Sequence, residues 1–294
     1  MGNFSMFLDS IFNNKKNINY EFCLNLKEEQ YEKYIMKLYN QKMGYSFNIK
    51  KPQTINEYIQ YLKLYDNIQM KEYLSNKVNV YDYVSKKLGN SKFVKELYNV
   101  YDDINEVNYD ELPDKFMIKL NNSCRANFPV LNKQNITNEI KKYIIEYFTY
   151  RANINYAFVN GFELQYKNIK PKIIIERLYP KVTEWQILCM NGEPLFVCFL
   201  DENHNIYNLF YKLDNNFHLI DNILMKKKVE ELIEISKVLS KDFKLVRIDF
   251  FMVDDKYPFF GEYTFTPYSG YASKDIIEYN SRKYSSQFCK IQKG

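Results

Sequence analysis

Two strand-like segments near the C-terminus constrain the fold of this chain more than any other feature. Residues 246–251 and 261–266 are rich in β-branched and aromatic side chains, a composition typical of β-strands. The polar residues 254–256 and Pro258 between them favour a turn. The two segments therefore predict an antiparallel hairpin.

This hairpin would bring two carboxylates together. Asp249 on one strand and Glu262 on the other come near each other across the pair. Facing carboxylates repel, and each raises the pKa of the other unless a cation lies between them. Hard oxygen ligands suit Mg²⁺, which one or two carboxylates and substrate phosphates typically hold. Arg247 shares the strand face of Asp249 and adds a planar fork suited to phosphate. From these two strands alone, a surface ion pair explains the pattern equally well.

The composition is that of an ordinary globular protein and argues against several kinds of site. The net charge of +5 is dispersed along the chain, so no nucleic-acid partner is expected. With two histidines and eight glycines, histidine triads, His₃ metal sites and glycine-rich nucleotide loops are not expected. No apolar run approaches the ~18 residues of a membrane span. The five cysteines are scattered without a CxxC pair, which, with no signal peptide, predicts a cytoplasmic location.

Helical periodicity dominates the first part of the chain. Residues 1–110 are predicted to form a mainly helical N-terminal region. One helix is expected from the N-cap Thr54 to Asp66. A second helix is expected from residue 70 to residue 88, ending at Gly89.

From Leu112 onwards the periodicity changes to that of strands. Strands are predicted at residues 115–120, 172–178, 185–190 and 195–200, and helices at residues 137–150 and 229–239. The tight turn at residues 191–194 predicts a second antiparallel hairpin. The fold class is therefore predicted to be α+β.

Seven short segments are arranged in a fixed order between about residue 43 and residue 270. They are the segments 44–52, 56–66, 112–119, 163–176, 191–194, 246–249 and 261–265. Taken together, they resemble the TupA-like branch of the ATP-grasp amidoligases, a family of teichuronopeptide and other cell-surface polysaccharide pathways.

The resemblance implies a fold and a reaction. The fold is an ATP-grasp module over residues 111–294, with a small subdomain at 111–175 and a large subdomain at 176–294 that carries the metal-binding hairpin. The cofactors are ATP and Mg²⁺. In this reaction ATP phosphorylates a carboxylate, and an amine then attacks the acyl phosphate to give an amide. The substrates would be a sugar acid or polysaccharide precursor and an amine or amino acid.

The resemblance also implies a role for individual residues. Those expected to bind the nucleotide are Lys77, Lys119, Asn122, Arg125, Glu176, Arg177 and Leu178, of which 176–178 line the adenine pocket. Those expected to hold Mg²⁺ are Asp249, Glu262 and Thr264. Arg247 and Lys119 are expected to be the catalytic residues. Lys119 would contact the transferring phosphoryl group, whose charge needs cations around it, and Arg247 would contact a phosphate or the substrate carboxylate.

The chain departs from the family pattern around the nucleotide. A His-Gly-Ser-Gly loop usually follows the Lys119 strand, whereas residues 122–125 here are Asn-Ser-Cys-Arg. Because close backbone approach is harder without glycine, Asn122 and Arg125 are expected to contribute side-chain donors to phosphate. Further departures are Asn76 for an aspartate, Tyr81 for an arginine and Gln186 for a lysine.

These departures leave alternatives to a ligase open. One is a degenerate ATP-grasp protein that binds a glycan or partner without turnover. Another is a phosphotransferase or glycosyltransferase-type enzyme of the same pathway.

Overall fold

The computed structural model describes residues 20–123, 126–179, 182–200, 206–209, 223–253 and 257–272. The helices in this part of the chain are α1 (Tyr20–Leu24), α2 (Tyr31–Met43), α3 (Ile55–Tyr65), α4 (Ile68–Ser75), α5 (Val80–Leu88), α6 (Asn138–Ala152) and α7 (Ile223–Ser240). The strands are β1 (Leu97–Tyr101), β2 (Phe116–Leu120), β3 (Asn127–Val130), β4 (Ile173–Arg177), β5 (Val182–Met190), β6 (Glu193–Leu200), β7 (Ile206–Leu209), β8 (Leu245–Val253) and β9 (Tyr257–Thr264).

The chain forms two compact units that are each discontinuous in sequence. The described part of the first unit consists of residues 20–72, 155–168 and 266–272. The second unit lies within residues 73–154 and 169–265 and contains both β-sheets. The division expected at residue 110 stays a prediction.

The first unit has an aromatic core and a buried lysine. Its core includes Tyr31, Ile35, Phe158 and Phe162. The ammonium group of Lys63 is fully enclosed and donates to Gln60 Oε1 at 2.9 Å and to the Ser269 carbonyl oxygen at 2.9 Å. These bonds satisfy a charge that would otherwise be costly to bury.

The helices end where the sequence supplies capping residues. The side chain of Thr54 accepts a hydrogen bond from the Glu57 backbone N–H at 3.2 Å, so it is the predicted N-cap of α3. Helix α5 ends at Gly89, whose φ of 68° is in the left-handed region that glycine adopts without strain.

The single helix predicted at residues 70–88 is wrong, because two helices, α4 and α5, occupy this stretch. The side chain of Asn76 accepts from the Val78 N–H at 3.0 Å, a local bond that competes with the helical pattern. The Lys77 N–H donates to the Asn121 carbonyl oxygen at 3.1 Å instead of to a helical partner. The break therefore brings Lys77 next to the segment that follows β2.

The first sheet has four antiparallel strands in the order β1-β4-β2-β3. Strand β4 lies in the interior of the sheet, and its first four residues are buried. Strand β1 was not predicted, since Leu97–Tyr101 shows no clear alternation and lies in the region expected to be mainly helical. Its pairing with β4 aligns Leu97 with Glu176.

The second sheet has five antiparallel strands in the order β7-β6-β5-β8-β9. Both predicted hairpins are confirmed: β5 pairs with β6, and β8 pairs with β9. Helix α7 packs on this sheet, and the Tyr263 hydroxyl of β9 donates to the Leu239 carbonyl oxygen of α7 at 3.1 Å. Because side chains alternate along a strand, Glu262 and Thr264 point to the opposite face of the sheet.

A β-bulge at Gly261 interrupts the β8–β9 pairing. Asp249 pairs with Glu262, whereas Phe250 pairs with Phe260, so Gly261 has no partner of its own. A β-carbon at position 261 would lie 2.9 Å from the Asp249 carbonyl oxygen and 2.8 Å from the Phe251 ring. Only glycine allows this close approach of the two strands.

Replacing Gly261 by Ala is therefore expected to destabilise the protein by about 1–3 kcal/mol, since the added methyl group meets fixed backbone. Urea-induced unfolding measures the change. Tyr257→Ala on the same strand is the control, because Tyr257 is largely exposed. An unfolding free energy of Gly261→Ala equal to that of the wild type would contradict the close approach.

Candidate active site

One face of the second sheet carries a buried carboxylate held by an arginine. Arg247 donates to both oxygens of Asp249, from Nε to Oδ1 at 2.7 Å and from Nη2 to Oδ2 at 2.6 Å. The Asp249 side chain is only 2% exposed. Two parallel bonds from a guanidinium group fix both the position and the orientation of the carboxylate.

A hydroxyl group joins this carboxylate to a second one. The Thr264 Oγ1 atom lies 3.1 Å from Asp249 Oδ2 and 3.3 Å from Glu262 Oε1. Its single O–H donates to one of them at a time. The strand register places Asp249 directly opposite Glu262, as the hairpin pattern predicts.

Burial raises the pKa of Asp249 to about 6, although the Arg247 guanidinium lowers it, and the Glu262 and Glu184 charges raise it further. The ionised form is thus more costly here than in water. A bound cation would offset both the burial and the repulsion.

The oxygen atoms on this face suit a divalent cation. The described residues contain no cluster of three or more His, Cys, Asp or Glu side chains with metal-site geometry. Mg²⁺ does not require such a cluster, because two carboxylates with water and phosphate oxygens can complete its coordination. The Asp249 and Glu262 carboxylates and the Thr264 hydroxyl therefore fit the expected ion by their chemistry.

Lys77 links this face to the segment after β2. Its Nζ atom donates to the Ser123 carbonyl oxygen at 2.8 Å and lies 3.8 Å from Glu262 Oε2. Its side chain is 15% exposed, so Lys77 is not a solvated surface lysine.

The segment after β2 is anchored by asparagine side chains. Asn121 donates to Asn76 Oδ1 at 3.0 Å and accepts from the Lys172 N–H at 2.7 Å. Asn122 donates to the Ile169 carbonyl oxygen at 3.2 Å. In the described part of the chain, Asn122 Oδ1 and Ser123 Oγ are buried and have no hydrogen-bond partner. Arg125 lies outside the described residues.

A buried carboxylate with three polar neighbours lies on the first sheet. The Glu176 side chain is 2% exposed, and its Oε1 atom accepts from Lys119 and lies 3.4 Å from Lys95 Nζ. The Tyr81 hydroxyl lies 3.4 Å from its Oε2 atom. Burial alone would raise the pKa of Glu176, but Lys95 and Lys119 together lower it to about 2.

No helix among the described residues is long and apolar enough to cross a bilayer.

A family model described as TupA-like ATPgrasp matches residues 57–281, which is most of the chain. This chain belongs to the TupA-like ATP-grasp family. The predicted α+β ATP-grasp fold is confirmed with it. A search of curated proteins found no match.

Solved structures similar to this TupA-like chain include distant ATP-grasp enzymes. D-alanine–D-alanine ligase from Bacillus anthracis, complexed with ATP, is 14% identical with a TM-score of 0.40 over 73% of this chain and 67% of its own. The same enzyme from Helicobacter pylori is 16% identical, with a TM-score of 0.45. The match covers 73% of this chain and 61% of the H. pylori chain. The ATP-grasp ligase PsnB, complexed with a minimal precursor, Mg and ADP, is 7% identical, with a TM-score of 0.41. The match covers 76% of this chain and 61% of the PsnB chain.

Several residues that the resemblance marks in this TupA-like chain lie together in the second unit. Arg247, Asp249, Glu262 and Thr264 share one sheet face, with Lys77 beside Glu262. Lys119 and Glu176 form an ion pair on the other sheet. Arg177 ends β4 with an exposed side chain that lies 3.5 Å from Glu96, and Leu178 follows it.

Two residues of the site were not assigned from the sequence. Lys95 lies in the connection before β1 without a motif, and the pairing of β1 with β4 brings it to Glu176. Gln186 was noted as a departure from the family, and the structure aligns it directly with Asp249 across β5 and β8. Its amide donates to Glu184 Oε1 at 2.7 Å.

Proposed function

We propose that this protein is an ATP- and Mg²⁺-dependent carboxylate–amine ligase of glycan biosynthesis. The amide would form through an acyl-phosphate intermediate. Membership of the TupA-like ATP-grasp family supports the general class of reaction. The pathway, the substrates and the intermediate are the proposed part.

The observation that carries the proposal is the position of Lys77. Its ammonium group lies between the Ser123 carbonyl oxygen and the Glu262 carboxylate. A cation here is near both the segment expected to cover the ATP phosphates and the carboxylates expected to hold the metal. Such an arrangement suits a triphosphate, whose negative charge needs cations on several sides.

Each residue then has a distinct part in the reaction. Lys77, Lys119 and the side chain of Asn122 would bind phosphate oxygens. Asp249, Glu262 and Thr264 would hold Mg²⁺, which would supply positive charge to offset that of the phosphate groups. Arg247 would keep Asp249 oriented and stabilise the charge on the transferring phosphoryl group. The backbone of Arg177 and Leu178 would line the adenine pocket.

The substrates in this proposal are a sugar acid or polysaccharide precursor and an amine or amino acid. We place the reaction in the cytoplasm, where thiols such as those of the buried Cys23, Cys189 and Cys198 stay reduced. The choice of acceptor depends on loops that differ between relatives.

Calorimetry with ATP, ADP and sugar nucleotides tests the nucleotide site. ATP is expected to bind with modest affinity, because flexible side chains replace preorganised backbone amides around the phosphates. Removal of Mg²⁺ with a chelator is expected to weaken ATP binding at least about tenfold, since the facing carboxylates then repel the triphosphate. ATP binding of equal strength with and without Mg²⁺ would contradict the metal site.

Hydroxylamine tests the reaction itself. With ATP, Mg²⁺ and a uronic-acid glycan, this amine nucleophile should trap the acyl phosphate as a hydroxamate and release ADP and phosphate. Mass spectrometry of the glycan separates amide formation from simple phosphorylation. A phosphorylated glycan with no hydroxamate would favour a phosphotransferase.

One contact favours a second candidate, a degenerate ATP-grasp protein that binds a glycan or partner without turnover. The Arg247 guanidinium already occupies both oxygens of Asp249, and this pairing competes with a metal ion. Glycan binding without any binding of ATP and Mg²⁺ would make this candidate the better one.

A further inference from the structure

Lys95 is a buried cation that has no role in the reaction proposed above. Its side chain is 7% exposed, and its Nζ atom lies 3.4 Å from Glu176 Oε1. The same ammonium group lies 4.3 Å from the centre of the Phe251 ring, a favourable position for a cation.

We propose that Lys95 is a positioning residue for ATP binding: it is the permanent counter-ion of Glu176, which leaves Lys119 able to bind a phosphate group. This inference rests on the proposed function, because it concerns the same nucleotide site.

The geometry of the cluster supports this division of labour. Both lysines contact the same carboxylate oxygen, Oε1 of Glu176, and the Tyr81 hydroxyl lies near the other. One carboxylate neutralises only one of two ammonium groups, so the cluster holds a surplus positive charge. Lys119 is more exposed than Lys95, at 17% against 7%. Lys119, the more exposed of the two lysines, is therefore the one whose side chain can bind a phosphate group.

The cost of moving Lys119 depends on Lys95. Without Lys95, a phosphate would have to draw Lys119 away from Glu176 and leave a buried carboxylate with no partner. Such uncompensated buried charges are strongly unfavourable. With Lys95 in place, Glu176 keeps a counter-ion throughout, and the surplus charge is available to the phosphate.

The burial of Lys95 fits a fixed counter-ion. Burial, together with the Lys119 charge, lowers the pKa of Lys95 to about 8, while Glu176 raises it. Lys95 thus remains mostly protonated at neutral pH even though its surroundings disfavour the charge.

The first test is the dissociation constant of ATP with Mg²⁺, measured by calorimetry. Lys95→Met is expected to weaken ATP binding about tenfold, because Lys119 then remains on Glu176. Lys95→Arg keeps the charge and should stay within about threefold of the wild type. The matched control is Lys86→Met, since Lys86 is exposed on α5, and it should not change the affinity.

The second test separates positioning from a merely structural role. In the Glu176→Gln background no carboxylate holds Lys119, so adding Lys95→Met to give the double variant should change ATP affinity by no more than about threefold relative to Glu176→Gln alone. A structural role predicts that Lys95→Met causes the same tenfold loss in that background as in the wild type. Should Lys95→Met alone fail to fold, as seen by circular dichroism, the double variant and Lys95→Arg decide the question.

The outcomes distinguish this inference from the proposed function. Wild-type protein that does not bind ATP with Mg²⁺ overturns both. If the wild type binds ATP and Lys95→Met binds it with unchanged affinity, only the role of Lys95 is overturned. The same holds if the double variant binds ATP about tenfold more weakly than Glu176→Gln alone.

Discussion

Replacing Asp249 by Asn is expected to abolish ATP-dependent turnover. One remaining carboxylate, that of Glu262, would not hold the cation against the triphosphate. We expect a loss in kcat of at least about a thousandfold, at the upper end for removal of a charge-stabilising group. Release of ADP in a coupled assay measures it. Asp82→Asn is the control, since Asp82 is exposed on α5 and lies 3.9 Å from Lys86.

A second variant keeps this test independent of folding. Asp249 is buried and paired with Arg247, so its replacement also costs stability. Glu262 is 36% exposed and lies 3.8 Å from Lys77, and Glu262→Gln should leave the unfolding temperature nearly unchanged. It is nevertheless expected to lose Mg²⁺-dependent ATP binding. Unchanged turnover in both variants would mean that this face of the sheet holds no catalytic metal.

Replacing Glu176 by Gln is expected to destabilise the second unit by about 3 kcal/mol at neutral pH. The substitution leaves Lys95 buried without a counter-ion, which is the costly way to break a buried ion pair. In the wild type, the cost of burying the charged Lys95 side chain offsets part of the stability that its ion pair with Glu176 contributes. Urea-induced unfolding at pH 7 measures the difference.

The pH dependence of stability provides the signature of this carboxylate. The pKa of Glu176 is about 2 in the folded protein and 4.5 in its ordinary state. Between these values the unfolded chain binds more protons than the folded one, so stability rises with pH. The contribution of Glu176 is thus fully present above pH 4.5 and is lost as the pH falls towards 2.

Glu176→Gln should therefore flatten the stability profile in this acidic window. The control variant Glu146→Gln should keep the wild-type profile, because Glu146 is exposed on α6 and lies 3.9 Å from Lys142. A Glu176→Gln profile as steep as that of the wild type would show that the lysines do not hold the carboxylate in its ionised form.

The hairpins were predictable from sequence because their signals are local. The β-branched and aromatic composition of residues 246–251 and 261–266 predicted the hairpin and the pairing of Asp249 with Glu262. The strand β9 begins earlier than predicted, so Pro258, expected in the turn, pairs with Met252 instead. The turn at Asn191 and Gly192 likewise marks the β5–β6 hairpin, since both residues have positive φ. Ordered motifs supplied the family, which periodicity alone does not identify.

Other features could not be predicted because they depend on contacts distant in sequence. The break before α5 is stabilised by the bond from Lys77 N–H to Asn121, 44 residues further along the chain. Strand β1 is held by β4, which also brings Lys95 to Glu176, and no local pattern marks either residue as a partner. The assigned roles of the nucleotide-binding and metal-binding residues remain predictions.

The bulge at Gly261 determines which face of the sheet carries Glu262. Before it, Phe260 faces its partner Phe250; after it, Glu262 faces Asp249 on the other side of the sheet. The one unpaired residue, Gly261, thus changes which side chains of β9 point to each face of the sheet. A regular pairing continued from Phe260 would place Glu262 opposite Ile248, on the same face as Phe260. The extra residue is therefore what brings the second carboxylate to the face of Asp249.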